Sequence, residues 1–200
     1  MSVLSLGKRP SVQALGLGAA RPAQPSYLRL GLAAALLLTA GALYAFNEWF
    51  RSVEAALGEH VVGLVTTGNT ALSWDQAVTF FGLGTQHAMG LRITAGCSSA
   101  MLIIPLLLVG AGFMLSRRAP VARILAGTAI GAALLILTNQ LRFGLIALFS
   151  QKWGYEGFGW AHTVIGSIVS LVGVAVSVTV LLLVAMRRAE PRTPLNGVSG

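Results

Sequence analysis

Three polar residues in an otherwise apolar chain have side chains suited to acyl transfer. Cys97 is the only cysteine, Arg142 lies inside a hydrophobic run, and His162 directly precedes another such run. A thiolate is a strong nucleophile, a histidine exchanges protons near neutral pH, and an arginine stays charged and can hold a developing oxyanion. These types together predict a cysteine nucleophile with a proton carrier and an oxyanion-stabilising group.

Four neighbouring residues are candidate supporting groups or substrate contacts. Ser98 and Ser99 are typical first-turn residues of a helix, and Gly96 permits a tight turn or a close approach of substrate. Asn139 shares a helix face with Arg142, three residues later in the chain. We expect Asn139 to orient the guanidinium or to bind the backbone of the substrate.

Long apolar runs must position these residues. With 55% hydrophobic and 10% charged residues, the chain is too apolar for an ordinary soluble domain and is predicted to be an integral membrane protein. A bilayer core of about 30 Å requires roughly 20 apolar residues per helical span. The predicted spans cover residues 28–46, 98–115, 124–149 and 163–186.

The predicted fold is an all-α bundle of about four transmembrane helices. It forms a single domain at residues 28–187, between a basic, flexible cytoplasmic tail at 1–27 and a cytoplasmic tail at 188–200. Between the first two spans, the apolar stretch 61–72 is too short to cross the bilayer. This stretch predicts an interfacial or re-entrant helix on the outer side.

The basic residues predict the orientation of the bundle. Four of the fourteen, Arg51, Arg92, Arg142 and Lys152, fall on the outer side together with five of the six acidic residues. The positive-inside rule then places both termini of a multi-pass plasma-membrane protein in the cytoplasm, with the candidate site at the outer face. The charge excess therefore marks topology and contact with anionic lipids, and no nucleic-acid partner is expected. The other ten basic residues are Lys8, Arg9, Arg21, Arg29, Arg117, Arg118, Arg123, Arg187, Arg188 and Arg192.

Metal and cofactor chemistry is not expected. A single cysteine excludes an internal disulfide and any cysteine-based metal cluster, and the three histidines do not form an H-E-x-x-H pattern. We expect His60 and His87 to be structural or peripheral.

Structural explanations also exist for each of the three residues. Cys97 can be a packing residue, Arg142 can extend to the membrane surface or pair with Glu156, and His162 can be an interfacial residue beside Trp160. The alternative function is a non-enzymatic transporter subunit or assembly scaffold in which Arg142 lines a polar pathway. An intramembrane hydrolase would share the acyl-enzyme of a transpeptidase, so the sequence leaves both open.

Three motifs resemble one known family. AGCSSA at 95–100, TNQLRFG at 138–144 and WAHTVIG at 160–166 are similar, in that order, to the cysteine, Asn-x-x-Arg and histidine motifs of the exosortase/archaeosortase membrane transpeptidases. The resemblance covers roughly residues 90–170. It implies that Cys97 is the nucleophile and that Arg142 and His162 are its partners.

The resemblance also implies a substrate class. Family members cleave the C-terminal sorting tail of exported proteins, which is a short motif followed by a transmembrane helix and a basic cluster, and join the new carboxyl end to another molecule. This chain departs from the family pattern at Ser99, where members often have glycine. Larger bacterial members have about twice the number of spans predicted here, so the chain is expected to be a compact member.

Overall fold

The computed structural model describes residues 27–116 and 119–186. Most of the predicted tail at 1–27 and all of the tail at 188–200 lie outside these residues, so the division into tails and one domain stays a prediction. The elements, in chain order, are α1 (Tyr27–Ala45), α2 (Asn47–Val65), β1 (Asn69–Ser73), β2 (Val78–Leu83), β3 (Met89–Arg92), a 3₁₀ turn (Ala95–Cys97), α3 (Ala100–Ser116), α4 (Val121–Trp160), a π-helical turn (Ala161–Ile165) and α5 (Gly166–Met186).

The apolar helices α1, α3, α4 and α5 pack with alternating direction. The start of α1 lies against the end of α3, where Ala33 shares a buried cluster with Met114, and the end of α1 lies near the start of α3, where Ala40 clusters with Ile103. Arg29 reinforces the first contact, because its guanidinium donates to the Ala119 carbonyl at 2.8 Å. The helix α3 is 17 residues long and contains Pro105.

Small residues let α4 and α5 approach closely. A Cβ atom on Gly127 would lie 3.2 Å from the Cα of Leu181, and one on Gly173 would lie 2.7 Å from Thr138 Oγ1. Close backbone approach at small residues is a common way for membrane helices to associate. Because residue numbers rise on one helix as they fall on the other, α4 and α5 are antiparallel, and the middle of α4 lies beside the start of α5.

A bend at Gly154 turns the chain from α4 towards α5. Gly154 has φ 60° and ψ −139°, a backbone conformation that residues other than glycine rarely adopt. The residues 155–160 then continue as a short helical stretch before the π-helical turn.

Two helical segments of the described chain are long and apolar enough to cross a membrane. They are Tyr27–Ala45 and the stretch Val121–Met186 that contains both α4 and α5, while Ala100–Ser116 is a shorter apolar helix. The protein is mostly helical, as predicted. The division into four membrane spans stays a prediction.

The prediction of an all-α fold is wrong for residues 69–92. These residues form a three-stranded antiparallel sheet with the order β1-β2-β3, in which Ser73 pairs with Val78 and Phe81 pairs with Met89. The central strand β2, with the sequence VTFFGL, is rich in the β-branched and aromatic residues that favour strands. The sheet packs on α2, where the Thr79 hydroxyl donates to the Ala55 carbonyl at 3.0 Å.

The predicted interfacial helix at 61–72 is helical only as far as Val65. Thr66 has an extended conformation, and Gly68 has a φ of 87°, so the chain leaves the helix there and enters β1. Threonine has a low helix propensity, and glycine at positive φ commonly follows the end of a helix. The segment between α1 and α3 is therefore a helix followed by a sheet.

Candidate active site

The three predicted chemical residues meet at one end of the helical bundle. Cys97 Sγ lies 3.8 Å from Arg142 Nη2, and both ring nitrogens of His162 lie 4.0 Å from the same sulfur. The cysteine comes from the turn before α3, the arginine from α4 and the histidine from the turn before α5. Their arrangement suits thiol activation, and the roles predicted for them stay predictions.

Cys97 lies in a turn and not in the first turn of a helix. The predicted span begins at residue 98, whereas α3 begins at Ala100, and Cys97 ends the 3₁₀ turn. The Cys97 amide donates to the Thr94 carbonyl at 3.0 Å, which closes this turn. Cys97 is half-buried and lines a cavity together with His162.

Arg142 reaches the sulfur because the start of α5 leaves room for it. A Cβ atom on Gly166 would lie 2.7 Å from Arg142 Nε. This Nε is buried and has no hydrogen-bond partner among the described residues. The expected alternative, an ion pair with Glu156, is not formed in the described part of the chain, where Glu156 is exposed.

His162 is held by an aromatic ring and by its position in the connection between the predicted spans. Its imidazole stacks on Phe158 one helical turn earlier, with ring centroids 5.2 Å apart and planes 8° from parallel. Partial burial and, second, the nearby Arg142 guanidinium lower the pKa of His162 below its ordinary value of 6.5. The ring therefore stays neutral at neutral pH and can accept the thiol proton.

The supporting residues bind a buried carboxylate that the sequence reasoning missed. Glu54 Oε2 accepts from Ser98 Oγ at 2.6 Å, and its Oε1 accepts from the Ser99 amide at 2.9 Å and from Asn139 Nδ2 at 3.0 Å. Asn139 was expected to orient Arg142 or to bind substrate, and here it binds Glu54. Gly96 is exposed, and a Cβ added to it would meet nothing within 4 Å.

A signal for Glu54 was present in the sequence. The buried positions of α2 include Glu54, Ala55, Gly58 and Val62, which recur at helical spacing. A glutamate on the apolar face of an amphipathic helix requires a polar partner when it is buried. The partners lie 44 to 85 residues away in the chain, so the sequence did not identify them.

Two cavities lie at the candidate site, one lined by the chain neighbours of Cys97 and the other by Cys97 itself. The larger one, which we call the α3–α5 groove, has a volume of about 410 Å³ and contains both Arg142 and the apolar residues of α5. The smaller one, of about 130 Å³, lies beneath β3 and contains Cys97 and His162. The α3–α5 groove is lined by Gly96, Ser98, Leu102, Arg142, Ser167, Ser170, Leu171 and Val174.

The other histidines lie away from this site. His60 is exposed on α2 and its Nδ1 lies 2.9 Å from the Ala56 carbonyl, while His87 is exposed between β2 and β3. Within residues 27–116 and 119–186, no group of three or more histidine, cysteine, aspartate or glutamate residues is placed to hold a metal ion.

Comparison with known families agrees with the resemblance of the motifs. The family model described as Transmembrane exosortase (Exosortase_EpsH) matches residues 12–182. Because this match covers most of the chain, the protein belongs to the transmembrane exosortase family, and the predicted membership is confirmed. It is therefore a membrane protein of a family whose members are generally peptidases or transpeptidases. No curated protein and no solved structure matches the chain.

Proposed function

We propose that the protein is a cysteine peptidase or transpeptidase that cleaves the C-terminal sorting tails of exported proteins at the outer face of the plasma membrane. The observation that carries the proposal is the contact of Cys97 Sγ with Arg142 at 3.8 Å and with His162 at 4.0 Å. Three separate segments supply these residues. Membership of the exosortase family supports the same reaction class.

The first half of the proposed reaction forms a thioester. His162 takes the thiol proton, and the thiolate of Cys97 attacks the carbonyl carbon of the scissile peptide bond, so that the electron pair of the C=O double bond moves to oxygen. Arg142 donates to this oxyanion. When the tetrahedral intermediate collapses, the C–N bond breaks and the His162 imidazolium gives its proton to the leaving amine.

The second half transfers the acyl group. An amine, a hydroxyl group of a lipid or sugar, or water attacks the thioester and gives its proton to His162. The C–S bond then breaks, and the proton passes from His162 to the sulfur, which restores the thiol. The reaction needs no cofactor, and the identity of the acceptor decides between transfer and hydrolysis.

Substitution of Cys97 tests the proposal directly. We expect Cys97→Ser and Cys97→Ala to lower substrate processing by at least about a thousandfold, because neither residue supplies a thiolate nucleophile. The substrate is a membrane protein from the same genome with a basic-ended C-terminal helix, co-expressed with the enzyme, and its C-terminus is determined by mass spectrometry. The same measurement distinguishes a carboxylate end from an end joined to an acceptor.

A matched control uses the exposed histidine His87, because His87→Ala is expected to leave processing unchanged. The proposal is overturned if either Cys97 variant processes the substrate at the wild-type rate. A transporter subunit or scaffold would then explain the site better.

A further inference from the structure

A buried carboxylate binds the two residues that directly follow the candidate nucleophile. Glu54 is only 1% exposed, and the ion pair between Arg51 and Glu48 does not include it. Burying a carboxylate without a cation is costly unless hydrogen bonds compensate. Glu54 receives three such bonds, so the surroundings of this carboxylate are built to hold it.

The bonds to Glu54 join the two segments that carry the chemistry. Ser98 and Ser99 directly follow Cys97, and their donors reach both carboxylate oxygens. Asn139, one helical turn before Arg142, donates to the oxygen that also accepts from Ser99. One side chain of α2 thus connects residues 95–99, which we call the cysteine turn, with α4, which we call the arginine helix.

A further hydrogen bond, to the backbone of Glu54, links α2 to α4. Gln140 Nε2 donates to the backbone carbonyl of Glu54 at 3.3 Å. A Cβ atom on Gly58, one turn further along α2, would lie 2.6 Å from the ring of Phe143. The two helices are therefore in close contact on both sides of the Arg142 position, and Glu54 cannot move far from Asn139.

We propose that Glu54 is a positioning residue, whose hydrogen bonds hold the cysteine turn and the arginine helix at the spacing that brings Cys97 Sγ next to Arg142 Nη2. The contact between Cys97 Sγ and Arg142 Nη2 is 3.8 Å, which is too long for a strong hydrogen bond that would fix the two groups by itself. The electrostatic effect of Arg142 on the sulfur weakens as the distance between them grows, so it depends on the hydrogen bonds that hold the two segments in place. The consequence for catalysis rests on the proposed function, whereas the effect on thiol reactivity does not.

Two substitutions separate the shape of Glu54 from its charge. Glu54→Ala removes both acceptors and leaves three buried donors without partners. Glu54→Gln keeps one carbonyl oxygen for Ser99 and Asn139 and turns its amide towards Ser98, whose hydroxyl can accept as well as donate. Because the proposal concerns geometry, Glu54→Gln is expected to recover most of what Glu54→Ala loses.

The experiment is a double-mutant cycle on the alkylation rate of Cys97 in the full chain in lipid nanodiscs. Cys97 is the only thiol, so iodoacetamide labelling reports on it alone. We expect Arg142→Gln to slow alkylation about tenfold at fixed pH, because the thiolate of Cys97 loses the cation beside it. In the Glu54→Ala background, the same substitution should change the rate less than about twofold, because the guanidinium no longer sits beside the sulfur.

Thr79→Val provides the matched structural control. Thr79 is fully buried and joins β2 to α2 through the Ala55 carbonyl, next to Glu54, and its hydroxyl does not donate to the cysteine turn. In the Thr79→Val background, the full tenfold effect of Arg142→Gln should remain. If Glu54→Ala does not fold, Ser98→Ala removes one of the three bonds and should reduce the coupling partially.

The positioning role is overturned if Arg142→Gln slows alkylation equally with and without the Glu54 carboxylate, or if Glu54→Gln behaves like Glu54→Ala. These outcomes do not touch the proposed function, since alkylation needs no substrate. Conversely, processing that is independent of Cys97 would overturn the proposed function and leave the result of the cycle standing. With a substrate in hand, Glu54→Ala should lower kcat and leave KM nearly unchanged.

Discussion

At the scale of single residues, Gly166 determines where the Arg142 side chain can lie. A methyl group at this position would stand 2.7 Å from Arg142 Nε, so Gly166→Ala must displace the guanidinium. A catalytic group displaced by about 1 Å can cost roughly a hundredfold in rate. We therefore expect Gly166→Ala to lower kcat for substrate processing by at least about tenfold, measured under substrate saturation.

The control for this prediction is Gly159→Ala, because a Cβ there meets nothing within 4 Å. An alanine in a helix is up to about 1 kcal/mol more favourable than a glycine, so this variant should be fully active and at least as stable as the parent. Equal kcat values for the two variants would show that the close approach at Gly166 does not govern Arg142.

The sequence alone predicts some residues of the candidate site and not others. The convergence of Cys97, Arg142 and His162 followed from helix ends and charge asymmetry, since alternate ends of neighbouring spans lie on the same side of a membrane. The partner of the cysteine turn, Glu54, was not predicted. Its helical spacing places it on the apolar face of α2, but its partners lie 44 to 85 residues away, and such long-range pairs depend on packing that a single sequence does not reveal.

At the scale of elements, the α3–α5 groove connects the candidate site with the apolar flank of the bundle. It is polar beside Arg142 and apolar at Leu102, Leu171 and Val174. Leu171 is 72% exposed, so the groove is open along α5. This gradient suits a substrate chain that passes from the membrane surface into the apolar layer.

Filling the α3–α5 groove should weaken substrate binding. We expect Leu171→Trp to raise KM for a membrane-anchored substrate about tenfold, with kcat changed less than about twofold, because the added ring occupies the groove without touching the sulfur. Leu183→Trp is the control, since Leu183 is 65% exposed on the same helix and does not line the groove. An equal KM in both variants would rule out the groove as the substrate path.

Element prediction succeeded for long apolar runs and failed for the sheet at 69–92. Helices such as α1 and α5 are determined by continuous apolar sequence, which in a membrane leaves the backbone little alternative to a helix. The strands have four to six residues each and carry few charges, so hydropathy and length alone did not reveal them, and the interfacial helix predicted at 61–72 overlaps only β1. Their pairing depends on turns at Ala77 and Gly84, where the backbone φ is positive.

At the scale of the whole molecule, charge and aromatic residues divide the bundle into two ends. All four tryptophans of the sequence lie at the end that holds the candidate site, and all four are exposed there. The opposite end carries Arg29 and Arg123 near the start of α1 and of α4. A helix of 19 residues is about 28 Å long, close to the thickness of a bilayer core. These features support an orientation with the site at the outer surface.

Labelling of single cysteines tests this orientation. In a Cys97→Ala background, Gln86→Cys places a thiol in the exposed turn before β3, and Ser116→Cys places one at the exposed end of α3. We expect a membrane-impermeant maleimide to label only Gln86→Cys in intact cells and both variants after permeabilisation, because the positive-inside rule keeps the basic end of the bundle in the cytoplasm. Labelling of Ser116→Cys alone would reverse the orientation and place the candidate site in the cytoplasm, out of reach of exported substrates.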